Sequence, residues 1–308
     1  MKIKLVLFCL MSYGGLLGQS FCNATYSDFP ETMPSATFYK AGVKKVLTIP
    51  VLFYIYDNDS NAHLEEKISI NNVYRQLQIL NSVINASLPP QQKVNFCIAT
   101  SYHNGALPKP TGSGYFSTRQ ATNAQGQPIG VFFIASAASI SKEQRILNNG
   151  AIDDNHALRI HIGNFTAGVA YTHALGNPVA PSKRYSLIEM SWRSVVGKKT
   201  SPFHNAISTG MVLVHEVGHY YGLRHYADSR CGDTNCRTEG DRICDTYPIN
   251  YPSWVTNAGA GTTCILDSTL ACPKFNYPQG FVRNNVMDAT PESCMVGLTP
   301  QQGLRMLD

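Results

Sequence analysis

The sequence predicts an α/β (α+β) fold in two halves, a twisted sheet with helices followed by an irregular, cysteine-laced region, and three observations carry that prediction. Up to about residue 210, short segments rich in β-branched and aromatic residues alternate with one stretch of helical period. At 211–225 the chain changes to a histidine-bearing helix that a glycine brings to an end. Beyond Gly222 regular patterning fades, and six of the nine cysteines crowd into what remains.

Taken in order, residues 1–18 hold Lys2 and Lys4, an apolar run from Leu5 to Met11 and small residues at Gly14, Gly15 and Gly18. That is the layout of a secretory signal peptide, too short to span a bilayer. Residues 19–42 contain Pro30 and Pro34 with no sustained period and read as a linker or short pro-segment. The domain proper is then 43–308, long enough for a full core. No later stretch has membrane-spanning length, and the net charge of +5 includes the two signal lysines, so neither a membrane span nor a nucleic-acid partner is expected. The expectation is an exported monomer, extracellular or periplasmic.

Within the domain, 45–56 reads as a strand from Val46, Leu47, Ile49, Val51, Leu52, Phe53, Tyr54 and Ile55. Over 68–84, Val73, Leu77, Leu80 and Ile84 recur at three and four, which predicts an amphipathic helix. A second strand is expected at 93–100. The Gly-, Pro- and Ser-rich stretch after it, through Pro128, reads as a loop whose length suggests the border of a substrate cleft. Short strands are expected at 131–135, 158–162, 168–172 and 186–190. Ser208 or Thr209 is the expected N-cap of the next helix, with Met211, Val214, Val217 and Tyr221 as its buried stripe.

That helix carries the chemistry. His215 and His219 are one turn apart, so both imidazoles reach one side and can hold one metal ion. Glu216, beside the first ligand, is placed to take a proton from a metal-bound water. Gly222 lets the chain leave the helix and return His225 as a third ligand, which leaves a zinc ion one open position, the mark of a catalytic site. By chance this pattern should occur about once in 10⁴ or 10⁵ chains of this length.

Removing Cys9 with the signal leaves eight cysteines. Cys231, Cys236, Cys244, Cys264, Cys272 and Cys294 read as disulfide stapling of a loop-rich region, since none forms a Cys-x-x-Cys pair that would favour a structural zinc. Cys22 has two readings, a thiolate that reaches the zinc and holds the enzyme latent, or a partner for Cys97. Acceptor sites for N-glycosylation occur at Asn23, Asn58, Asn85 and Asn164.

The zinc motif resembles that of the metzincin hydrolases. Further segments resemble the pappalysin (cytophagalysin-like) family within them: Gly240-Asp241-Arg242-Ile243-Cys244-Asp245-Thr246, then Asn285-Val286-Met287-Asp288, then Leu298-Thr299-Pro300-Gln301-Gln302. Val94 to Ala99 and Gly168 to Tyr171 fit as well, so the similarity runs from about Val46 to the C-terminus. The resemblance implies an extracellular zinc endopeptidase acting on proteins or peptides. Its fold would be a zincin with a twisted mixed five-stranded sheet, a backing helix and an active-site helix above the cleft. Met287 would lie under the zinc ligands in a Met-turn. A calcium site would draw on Asp241 and Thr246, with Asp245 a further candidate. Cys236 or Cys231 would bridge to Cys272, Cys264 to Cys294, and Cys244 to the remaining early cysteine. Two departures stand out: Ala289 replaces a usual tyrosine, and Ser293 replaces the acid carried by members that favour basic side chains. A competing expectation is a catalytically impaired zinc-binding module used in adhesion or protein binding, which intact Glu216 argues against.

Overall fold

Strand β1, Lys45–Asp57, is the axis of the sheet. Its central residues Val51 to Ile55 are all buried, as befits a strand covered on both faces, and this is why it reads as one apolar run rather than an alternation. The computed structural model describes residues 45–57, 67–100, 115–136, 157–163, 170–173, 187–198, 208–225, 231–249, 264, 271–272, 275–277, 284–288 and 290–307. The signal segment, the linker with Cys22, and Ala289 lie outside them.

β1 pairs in parallel with β2 (Gln92–Ile98) along Lys45–Val51 and with β4 (Pro128–Ser136) along Phe53–Asp57. Ala99 joins the two stretches, donating its N–H to Val51 O and accepting from Gly130 N. β5 (Leu158–Gly163) takes the other edge, followed by β7 (Leu187–Ser191) in parallel and β6 (Ala170–His173) antiparallel. β3 (Tyr115–Thr122) closes the opposite side as an antiparallel hairpin with β4.

Two expectations are corrected here. Among the described residues the sheet has seven strands, where the family resemblance implies five. Part of the stretch expected to be loop is β3, whose polar sequence conceals an edge strand with Arg119 laid 4.2 Å over the Phe133 ring beside it. The hairpin turns at Asn123, whose side chain accepts from Gln125 N and Gln127 N.

Helix α1, Ile70–Ser87, begins at Ser69 in a reciprocal capping box with Asn72. Val73, Leu77, Leu80 and Ile84 pack with Val51, Phe53 and Ile55 in the main core, and Leu52 and Tyr54 face the second cluster with Phe132 and Ile134. A ladder of side-chain amides binds the helix to β2: Asn81 donates to Phe96 O and accepts from Phe96 N, and Asn85 does the same for Val94. Four helix residues, about 6 Å, match two strand residues, so the two amides stand in for a missing strand along this edge. The Asn85 amide is thereby engaged within the fold.

After the sheet comes helix α2, Met211–Tyr220, packed on α1 in the main core. Beyond Gly222 the expected irregular half appears as turns, a 3-10 turn at Glu292–Cys294 and a short helix α3, Pro300–Arg305, which opens with a Thr299 and Gln302 capping box. Three disulfides staple it: Cys231–Cys272, Cys236–Cys244 and Cys264–Cys294. These are the pairs the family resemblance implies. Cys97 is also disulfide-bonded, to a partner outside the described residues.

Candidate metal centre

The imidazoles of His215, His219 and His225 converge on one point. His219 Nε2 lies 3.0 Å from His215 Nε2 and 3.0 Å from His225 Nε2, and one ligand atom from each ring falls within 4.8 Å of the others. Backbone carbonyls fix two of the tautomers. His215 Nδ1 is 2.7 Å from Val286 O and His219 Nδ1 is 2.9 Å from Leu223 O, so these nitrogens carry the protons and donate them. The Nε2 lone pairs of both rings then face each other, an arrangement that repels unless a cation stands between them.

A proton is a poor candidate for that cation. Burial, then the neighbouring His219, lower the pKa of His215 to about 3, although the hydrogen bond to Val286 works the other way. A metal ion fits better. Two nitrogens bound at about 2.05 Å to one tetrahedral zinc stand roughly 3.3 Å apart, close to the spacing seen.

The local fold explains the convergence. α2 ends in a Schellman motif, with Leu223 N donating to Gly218 O and Gly222 N to His219 O. This needs Gly222 at φ 86, the left-handed conformation expected there. The turn sends the chain back towards His225 and presents Leu223 O to His219. Glu216, on the same helix, is buried. Among the stripe residues, Val214 and Val217 are fully buried as expected, whereas Met211 and Tyr221 are half-buried and Leu213 and Tyr220 complete the face.

Met287 is fully buried against Gly218 of α2, and its seat depends on that glycine, which motif reading passes over. A Cβ at Gly218 would lie 2.6 Å from Met287 Sδ, so only glycine allows this approach. The Met-turn is held from behind: Met287 N donates to Asn285 Oδ1, and Asn285 exchanges two amide hydrogen bonds with Gln302 of α3. Gln302 was visible in the sequence only as part of a family match.

The expected N-cap is also corrected. Gly210, at φ 89, occupies that position and has no side chain to offer. Ser208 lies two residues before it, accepting from Gly210 N, and the first free amides of α2 are taken instead by Glu292.

The residues expected to bind calcium divide into two groups. Asp241, buried, accepts from Ile243 N and from the Thr246 hydroxyl, so these two side chains are together. Asp245 turns away to α3, accepting from the Thr299 hydroxyl and Gln301 N. It serves there as a tie between the turn and the last helix.

The mixed sheet, the helices packed on it and the histidine triplet give the chain a metzincin-type fold. Among solved structures the chain is similar to mature mirolysin of Tannerella forsythia in complex with a cleaved peptide, at 19% identity and a TM-score of 0.55 over 85% of this chain and 90% of that one. It is also similar to a mutant of promirolysin from the same organism, at 18% identity and a TM-score of 0.54 over 85% and 80%. Among curated proteins, it matches an extracellular metalloprotease of Colletotrichum graminicola at 35% identity and one of Pyricularia oryzae at 33%. Each match spans 97 residues, 32% of this chain and 29% of the relative, so the alignment covers under a third of those proteins. No family model matches the sequence.

Proposed function

We propose that the chain is a secreted zinc endopeptidase of the pappalysin type. The observation that carries this reading is the meeting of three Nε2 atoms, two of them oriented by carbonyls, one residue along the helix from a buried glutamate. The similarity to extracellular metalloproteases and to mirolysin supports the same class of reaction and an exported location. Among the described residues no helix is long and apolar enough to cross a membrane.

When bound, zinc would lower the pKa of an attacking water and polarise the scissile carbonyl. His215, His219 and His225 would hold it. Glu216 acts as the base that takes the proton from the attacking water and passes it to the departing amine. Met287 and Leu223, both buried beside Gly218, would bring apolar surface to the inner side of the site, which strengthens electrostatic interactions there. Glu216→Gln keeps shape and ligands but removes the base. Metal content should persist while hydrolysis of a peptide library falls about a thousandfold or more. Equal turnover in the variant contradicts the assignment.

Two further parts belong to this reading. Cys97 is already disulfide-bonded and the six late cysteines pair among themselves, so we read Cys22 as its partner and not as a latency ligand. We also place a calcium ion at Asp241 and Thr246, where hard oxygens meet within the stapled half. Calcium removal should then lower Tm and activity, and calcium but not magnesium should restore both. Asp241→Ala with unchanged Tm at every calcium concentration rules the site out.

A further inference from the structure

We infer that Glu292 is a positioning residue for the metal centre, a clamp from the Met-turn segment that sets the height and rotation of α2. The inference rests on the zinc reading above.

Every helix begins with N–H groups that no residue of its own can satisfy. α2 is poorly equipped for this, because Gly210 supplies no cap and the first turn contains no acid. The missing acceptor comes from 81 residues further on. Glu292 Oε1 lies 2.7 Å from Met211 N and 3.4 Å from Val212 N, and 3.0 Å from the Ser208 hydroxyl. Its negative charge faces the positive end of the helix, where carboxylates are favoured.

The geometry makes this more than a cap. The segment that carries Glu292 meets α2 at two more places. Val286 O takes the proton of His215 Nδ1, and Met287 Sδ sits against Gly218. Positions 211, 215 and 218 are spaced four and three apart, so all three contacts run down one face of the helix. A seam with three fixed points sets both translation and rotation. With Glu292 removed, the upper point is lost and the helix is held against the Met-turn only at and below His215.

Glu292 itself is well anchored. Met295 N donates to Glu292 O, Cys294 N donates to Pro291 O, and Cys294 is bridged to Cys264. Its second oxygen, Oε2, is buried without a hydrogen-bond partner. Leaving a carboxylate oxygen unsatisfied is unfavourable, and the contact of Oε1 with the helix end is what offsets it.

The test compares Glu292→Ala, Glu292→Gln and a control, Ile134→Ala, which thins the second core cluster away from α2. Zinc affinity is read by competition with a chromophoric chelator well below Tm, and kcat and KM by peptide hydrolysis. Losing a cap of this kind should weaken zinc binding about tenfold and lower kcat by a similar factor, with KM within about twofold. Glu292→Gln, which keeps an acceptor, should recover most of both. Ile134→Ala should lose Tm but neither zinc affinity nor kcat. Parental zinc affinity and kcat in Glu292→Ala overturn the inference, as do equal losses in the control. Should Glu292→Ala fail to fold, Glu292→Asp, one methylene too short, takes its place with the same expected losses. Amide exchange at Val212 to His215 gives a readout independent of metal and turnover. Faster exchange in the variant supports the clamp even in a parent that binds no zinc, whereas unchanged protection contradicts it.

Discussion

Among the described residues from Lys45 to Ser191 the backbone is satisfied mainly by other backbone, in parallel ladders that run through β1 and one long helix. From Cys231 to Leu307 it is satisfied largely by side chains: Asp241, Asp245, Asn285, Glu292 and Gln302 each accept from or donate to a neighbouring turn. Side chains can reach in any direction, so the second region builds a site that no ladder could shape. It lacks the cooperativity of a sheet and holds its form through covalent staples. The candidate metal centre sits where the two regimes meet, with α2 rooted in the main core and Val286, Met287 and Glu292 approaching from the irregular half.

The staples are the place to break this contrast with the largest effect. On a chain-entropy account, removing Cys231–Cys272, which spans 41 residues, should cost about 4 kcal/mol, against about 2.5 for Cys236–Cys244 over 8 residues. Paired Cys→Ser variants followed by denaturant unfolding give both values. Equal costs would mean that the open loops keep their structure without the bridges.

A smaller effect sharpens the junction. Gly218→Ala drives a methyl into Met287 Sδ, and overpacking of that kind costs about 1–3 kcal/mol. Thermal unfolding should register the loss, and zinc affinity should fall with it, because Met287 shares a turn with Val286, whose carbonyl holds His215 Nδ1. If Met287→Ala on the Gly218→Ala background restores no stability, the two residues are not coupled.

The same contrast explains what could be read from the sequence. α1 was legible because Val73, Leu77, Leu80 and Ile84 keep one period, and the ligand set because its three histidines lie within 11 residues on one helix and its turn. β3 was not, since an edge strand with polar residues resembles a loop. With it the six strands read from the residues become the seven of the sheet. Glu292, Gly218 and the Asn285 and Gln302 pair were out of reach for a different reason: each acts on a partner 17 to 81 residues away, and no local pattern marks such a contact. The Ser208 or Thr209 cap failed in the same way, a local rule overridden by a carboxylate from a distant turn.

The central claim is one metal held by three imidazoles with a fourth position left to solvent or substrate. X-ray absorption at the zinc edge, on protein freed of residues 1–18 so that Cys22 is kept, tests it most directly. The expected result is one zinc per chain with three nitrogens at about 2.0–2.1 Å and one lighter oxygen ligand, and loss of most of that zinc in His225→Ala. No transition metal in active protein, or a sulfur in the first shell at about 2.3 Å, would contradict it.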